Sequence, residues 1–477
     1  MSIDIRKGST FRRGLAATAA VAVLAVLAAC DPDRLVDVDD PDRLPPDFLG
    51  DSASLPLVHA GVIRDFIVAY SGSDAQEGQI LQAGLLADEL HSSGTFPTRQ
   101  EVDSRNVAVS NGNNADVFRE LSRARRAAER GAALYAEFNG DDVRRAEILA
   151  LAALTYTYFG ENYCTGVPFS EFNEEMDEFE FGEPLSTAEM HERALERLDE
   201  ALALATGNER ILNLVRVARG RALVNLGRFG EAADAVAGVP TSFSYVIEHS
   251  ANTSAQNNGP WYWSNNLGRW SVADEQGVAY RTAFDNGDTR VPYYIAPSGP
   301  QRVGQRQAAL RFQQMRWATR ESAVAVATGV EARLIEAEAA LDAAQTGTWL
   351  GILNGLRADQ SLYVCPEGSE GCEDRTSPLP ALSDPGSDAG RAQLHFEERA
   401  KWLFLTSHRL GDMRRMIRQY GFDANDVFPS GPSATVPGVS GPIPLDNGVA
   451  WGNQVALIVP IDEDANPNYE GCDATIP

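Results

Sequence analysis

Apolar positions recur at helical spacing over much of the chain. Met190, Ala194, Leu195, Leu198, Ala201, Leu202 and Ala205 fall on one face of a 3.6-residue period. Ser186 and Glu189 ahead of them have the spacing of a capping box, and Gly207 stops the run. Similar patterns cover about 114–138, 141–160, 209–226, 229–238, 320–345 and 391–420, which predicts a mainly α protein.

The pair over 209–238 carries more detail than periodicity requires. Gly220, Leu223, Gly227, Phe229, Ala232 and Val236 stand at the offsets of a tetratricopeptide repeat, with small residues where two antiparallel helices touch. One such hairpin cannot bury its own face. The helices over 114–160, 187–206 and 320–345 are therefore expected to stack beside it as a short right-handed solenoid, an alpha-alpha superhelix. Long irregular insertions, 241–313 and 421–477, separate or follow the helices and are rich in Gly, Pro, Asn and Ser. The first holds Trp261, Tyr262, Trp263, Trp270, Tyr280, Phe284, Tyr293 and Tyr294, too many aromatics for a disordered linker, so it is expected to fold.

The N-terminus reads as a leader. Arg6, Lys7, Arg12 and Arg13 precede an apolar run from Leu15 to Leu27, and Leu27-Ala28-Ala29-Cys30 places small residues ahead of a cysteine, as a lipoprotein signal peptidase requires. Residues 1–29 then form a signal peptide, Cys30 is the lipidated first residue of the mature chain, and the acidic, proline-rich stretch 30–50 is a solvated tether to a single domain over 51–477. The leader's apolar run is shorter than the ~18 residues of a spanning helix, and no later stretch is expected to reach that length.

Composition narrows the function. The formal net charge of −26 becomes −29 once the +3 of residues 1–29 is removed, which excludes nucleic acid as a partner, because phosphate binding needs a basic stripe. Beyond Cys30 there remain Cys164, Cys365, Cys372 and Cys472, an even set suited to an oxidising compartment. Cys365 and Cys372 flank a short Pro/Gly loop and are paired on that ground; Cys164 with Cys472 follows by elimination and would tie the C-terminal tail to the body. The six histidines are scattered and no Cys-x-x-Cys occurs, so no metal is expected. A nucleophile elbow, a metalloprotease helix, a phosphate loop and a dinucleotide fingerprint are all missing, so neither a cofactor nor catalysis is expected. The acidic run of Glu171, Glu174, Glu175, Asp177, Glu178, Glu180 and Glu183 reads as a solvated loop rather than as paired catalytic carboxylates.

Three stretches carry a family resemblance. Ala146 through Tyr156, Tyr158, Phe159 and Gly160, followed by Gly166-Val167-Pro168, is similar to a helix that ends at a glycine before a Val-Pro turn. Glu398-Arg399 and His408-Arg409-Leu410-Gly411-Asp412-Met413-Arg414-Arg415 resemble an acidic-and-arginine signature, with Trp402, Thr406, Ser407 and Leu410 as departures. Pro460 to Asn468 resembles a closing stretch. Together with Cys30, they resemble the SusD/RagB family of outer-membrane nutrient-binding lipoproteins. The Arg399, Arg409, Asp412 and Arg415 framework reads as forks that pair with carboxylates and hold loops.

The resemblance implies a surface lid over a TonB-dependent outer-membrane barrel, capturing an oligomeric nutrient, usually a glycan, with contacts from the irregular part. Sugar capture needs flat rings for C–H surfaces and polar groups for hydroxyls. Trp261, Tyr262, Trp263, Asn265, Arg269 and Trp270 supply both, and are the candidate contacts; the alternative is an aromatic core beneath a long loop. A second functional reading, a periplasmic interaction scaffold of tetratricopeptide type without small-molecule ligand, explains the helices and the lipid but leaves that aromatic stretch without a role.

Overall fold

Helix caps set the frame. In a computed structural model, residues 51–173, 178–274, 277–305, 310–363, 378–430 and 451–477 are described. Cys30, the Cys365–Cys372 pair and the tip of the acidic run lie outside them. Residues 1–54 and 55–477 form two separate compact units; the first contributes a single 3-10 turn at Ser52–Ser54 to the described residues.

In the second unit the chain opens with α1 (Leu55–Ser71), α2 (Gln79–Leu86) and α3 (Pro97–Asp103), then α4 (Gly112–Asn139) and α5 (Val143–Asn162). Next come α6 (Thr187–Leu204), α7 (Glu209–Asn225) and α8 (Phe229–Val236), with a short α9 (Tyr280–Asp285) further on. The C-terminal third holds α10 (Gly329–Asp342), α11 (Thr346–Ala358), α12 (Asp388–Trp402) and α13 (Arg409–Tyr420). The expected capping box is present: Glu189 N–H donates to Ser186 Oγ at 3.3 Å and Ser186 N–H donates back to Glu189 Oε2 at 2.8 Å, which starts α6. Asn111, Asp142, Asn208 and Thr328 cap α4, α5, α7 and α10 in the same way through their side-chain oxygens.

Helices α4 to α8 pack in succession, and α10 closes on α7 and α8. This is the expected stack of antiparallel hairpins. A Cβ on Gly220 would lie 2.6 Å from Val236 Cγ1 and 3.1 Å from Ile335 Cδ1, so α7 can meet α8 and α10 only through glycine there. The interior is one large apolar cluster running through all these helices, with a second, smaller one of Leu334, Trp349, Leu353, Leu356 and Trp402 between α10, α11 and α12.

Strands are short and paired two by two. Leu90–Ser92 (β1) meets Trp270–Val272 (β7), Val167–Pro168 (β2) meets Pro184–Leu185 (β5), and Glu171–Asn173 (β3) meets Glu178–Glu180 (β4). Ser244–Ile247 (β6) meets Val324–Thr328 (β10), and Tyr293–Tyr294 (β8) meets Gln313–Gln314 (β9). All are antiparallel. The tail returns to the body, where Cys164 N–H donates to Leu457 O at 2.9 Å and Cys164 and Cys472 form a disulfide with Cα atoms 5.9 Å apart.

Four expectations change. The helix expected from 320 begins at Gly329, because the β-branched Val324 and Val326 belong to β10, paired with β6. The helix expected over 391–420 is two helices broken at 403–408, where Leu405 and Ser407 take positive φ of 52° and 58°. Helices α1, α2, α3, α9 and α11 were not anticipated, though in α11 Trp349, Leu353 and Leu356 mark the buried face. Ser52–Ser71 has the length and mean hydropathy, 1.3, to cross a membrane, contrary to the expectation that no stretch after the leader would. Within it, Leu55, Val62, Phe66, Ala69 and Tyr70 of α1 are buried, and α1 packs along α4, so this apolar content is that of a core-facing helix.

The contact at Gly220 gives a paired expectation. Gly220→Leu forces side-chain volume into a filled junction and should lower stability by about 1–3 kcal/mol or more. Gly230→Ala, at an exposed position of α8 with open space around its Cα, should raise it by about 0.5–1 kcal/mol. Urea unfolding of the two variants against the parent checks both signs.

Candidate functional site

The aromatic stretch folds into a single turn of π-helix over Trp261–Asn266, framed by β7. Wide turns of this kind are rare and often sit at functional sites. It is held from below. Asn258 Oδ1 accepts from Trp261 N–H at 2.9 Å, and Asn258 Nδ2 donates to Ser322 O at 2.8 Å. Ser264 Oγ donates to Trp270 O at 3.0 Å, and the Arg311 guanidinium donates to Ser264 O and Asn265 O. Gly259 runs against the end of α1 so closely that a Cβ would lie 2.1 Å from Ser71 O, which explains glycine at this entry.

The six candidate residues divide by burial. Trp270 is fully buried, its strand paired to β1, and presents no face to solvent. Trp263 is 8% exposed and donates its Nε1–H to Ser73 O at 2.9 Å, so it supports more than it displays. Trp261, Tyr262, Asn265 and Arg269 are half-buried and open to solvent. Burial thus assigns Trp263 and Trp270 to the local core and leaves Trp261, Tyr262, Asn265 and Arg269 partly open to solvent.

Around this turn the fold gathers residues that sequence reasoning missed. The Arg269 guanidinium lies 3.9 Å from the ring centroid of Phe96, which is 39% exposed, and the Arg99 guanidinium lies 4.8 Å from the same ring. Arg99 also comes within 5.7 Å of Trp263, and Arg320, exposed, within 5.8 Å of Trp261. Burial and the neighbouring Arg99 both lower the Arg269 pKa. Buried Glu77 anchors Arg99 at 2.9 Å and in turn accepts from Asn113 at 2.9 Å. The result is a patch of aromatic edges and guanidinium forks, chemistry that fits C–H faces and hydroxyl pairs. No local signal in Gly94-Thr95-Phe96-Pro97 could have pointed here, since Phe96 meets Arg269 only through the pairing of β1 with β7.

That pairing is fixed by the arginine signature. Asp88 and Glu89 precede β1. Arg409 Nε and NH2 donate to the two Asp88 oxygens at 2.7 and 2.8 Å, and Asp88 also accepts from Val278 N–H at 2.8 Å. Glu89 Oε1 accepts from Leu405 N–H at 2.7 Å and Glu89 O from Ala273 N–H at 3.0 Å, beside β7. Trp317 Nε1–H caps Leu405 O at 3.1 Å. The signature therefore acts through the loop 403–408 on the strands that carry the patch, the structural role expected of it.

The overall fold has counterparts in known structures. A SusD-like carbohydrate-binding protein from Bacteroides vulgatus ATCC 8482 superposes with a TM-score of 0.61 at 15% identity, over 88% of this chain and 97% of that one. The chain has a SusD-like fold. A SusD superfamily protein from Bacteroides thetaiotaomicron VPI-5482 gives a TM-score of 0.61 at 14% identity, covering 89% and 100%. A SusD-like carbohydrate-binding protein from Bacteroides fragilis NCTC 9343 gives 0.62 at 12% identity, also covering 89% and 100%. No protein-family model and no curated protein matches the sequence. Agreement over nearly the whole chain at such low identity is a likeness of fold.

Glu89 supplies a pH signature of this frame. Burial drives its pKa up to about 8, against which the Leu405 N–H bond and Arg409 act only in part. Its ordinary value is about 4.3, so between roughly pH 4.3 and 8 the folded protein holds a proton that the unfolded chain releases. Stability then falls as pH rises through that window. Glu89→Gln keeps an acceptor for Leu405 and removes the titration. Its advantage over the parent should grow by about 2–4 kcal/mol from pH 5 to pH 8 in urea unfolding, and a constant difference across pH would contradict the assignment.

Proposed function

We propose that the protein is a cell-surface lipoprotein that captures an oligomeric nutrient, a glycan, and passes it to a TonB-dependent outer-membrane barrel. The observation that carries this reading is the turn Trp261–Asn266, open to solvent at Trp261, Tyr262, Asn265 and Asn266, with Phe96, Arg99 and Arg269 beside it, on a SusD-like fold whose structural neighbours include carbohydrate-binding proteins. Two half-buried rings and an exposed one offer stacking faces, and guanidinium forks offer donors. The reading is capture and release. In this reading a lipid at Cys30 anchors the protein to the outer membrane.

A neutral oligosaccharide panel titrated calorimetrically tests the binding step. Trp261→Ala or Phe96→Ala should weaken binding about 10-fold, or ~1.4 kcal/mol, with little change in melting temperature. Trp270→Ala should instead cost ~3–5 kcal/mol of stability, since its ring is core. Unchanged affinity in both exposed-ring variants would move the site elsewhere. Protease shaving of intact cells separates this reading from a periplasmic scaffold, which would be spared.

The anchor has its own test. Cys30→Ala should release the processed protein from membranes or leave it as an uncleaved precursor. A processed variant that stays membrane-bound through a high-salt wash would shift the anchor to the apolar Ser52–Ser71 segment.

A further inference from the structure

Where α4, α5 and α6 meet the β3–β4 ribbon, a cavity of about 1020 Å³ opens that shares no residue with the π-helix patch. Among the described residues, six arginines from α4 and α6 line it, Arg123, Arg125, Arg126, Arg130, Arg193 and Arg197, against four glutamates. In a chain of net charge −26 this concentration of cations is local and unexpected. Arg123, Arg126 and Arg130 are spaced to share one face of α4.

Two of these cations take their carboxylate partners from outside the lining. Arg197 takes Glu129 through Nε at 2.9 and 3.0 Å, which occupies that carboxylate. Arg123 and Arg193 lean on Glu120 and Glu196, both outside the lining, at 3.1 Å. Arg125 is 3% exposed, and its NH1 meets Glu171, itself 58% exposed, at 3.2 Å. The Arg125 Nε is buried without a hydrogen-bond partner. Burial and the adjoining Arg125 and Arg123 lower the Arg126 pKa, the mark of cations crowded against one another. Beneath them Tyr156 and Phe169 pack edge to face at 5.2 Å, and the Arg125 guanidinium sits 5.1 Å from the Phe169 centroid.

A single small anion would need donors converging on one point. Here the arginines from 123 to 130 spread over roughly 10 Å of helix, at about 1.5 Å per residue, and the volume is that of a short chain. We propose that this cavity binds a stretch of carboxylate-bearing oligosaccharide, a run of uronic acids. The carboxylates pair with the guanidinium forks, which match them in plane and spacing, while the half-exposed Phe169 ring gives a sugar face its floor. The saccharide backbone rests on the glycan-capture reading above; the negative charge rests on the arginines alone.

Calorimetric titration of the full-length protein with tetragalacturonate, beside neutral maltotetraose, tests it. Arg126→Ala with Arg193→Ala should weaken tetragalacturonate at least 10-fold while the melting temperature is kept. Arg219→Ala with Arg228→Ala removes the same charge from surface pairs with Asp199 and Glu231 and should leave the affinity as it was. Binding should also weaken from 20 to 200 mM salt. Equal affinity in the Arg126/Arg193 variant overturns the site and leaves glycan capture standing. Equal binding of a tetraglutamate peptide or of inorganic phosphate overturns the saccharide assignment. If neither sugar binds the parent protein, both this proposal and the glycan reading fall.

Discussion

The fold depends on buried charge pairing around the broken turn between α12 and α13. Arg399 forks onto Asp412 at 2.8 and 3.0 Å, and Arg415 bridges Asp412 at 2.7 Å to Glu338 at 2.5 and 3.1 Å. Burial works against the Asp412 carboxylate, yet Arg399 and Arg415 outweigh it and hold its pKa down at about 2. Arg414 donates one nitrogen to the carbonyls of Gly160, Glu161 and Tyr163 at 2.8, 2.8 and 2.9 Å, closing the C-terminal end of α5. Glu161 accepts Arg221 of α7 at 2.9 and 2.5 Å, and Arg221 reaches on to Ser407 O at 2.8 Å. Because every member is out of water, losing one leaves a charge uncompensated, which typically costs ~3–5 kcal/mol.

This network explains a backbone that would otherwise be strained. Leu405 and Ser407 sit at positive φ, unfavourable for side chains that carry a Cβ. Their amide and carbonyl groups are claimed by Glu89, Trp317 and Arg221, while Tyr70 Oη–H donates to Thr406 O at 3.1 Å. The turn is thus over-determined from α1, α7 and β1 at once. Through Asp88 and Glu89 the same pairing sets β1 against β7, so the aromatic turn is presented by a rigid base rather than by a free loop. A preformed face loses less entropy on binding a flexible chain than a loop that must first order.

Two different surfaces emerge from one composition. At the π-helix turn, arginines lie against aromatic rings. At the α4–α6 cavity, arginines lie against one another and charge dominates. An acidic protein keeps both solvated, and its overall negative charge would repel a polyanion at long range while local cations hold it at contact, where screening is weakest.

Local pattern made the helices legible. The Ser186–Glu189 box, the apolar stripe of α6 and the glycine at 220 are interactions within one turn or one hairpin, and their residue types follow from that geometry. The paired arginines and carboxylates of 398–415 could be read as structural forks because guanidinium and carboxylate groups match one another in planar, two-point geometry. What the sequence could not show was partner identity. Asp88 meets Arg409 across 321 positions, Arg269 meets Phe96 across a strand pair, and α10 starts where β10 ends because β6 lies beside it. Burial decided the rest: Trp261 and Trp270 are chemically identical in sequence, and only tertiary packing turned one toward solvent and the other into the core.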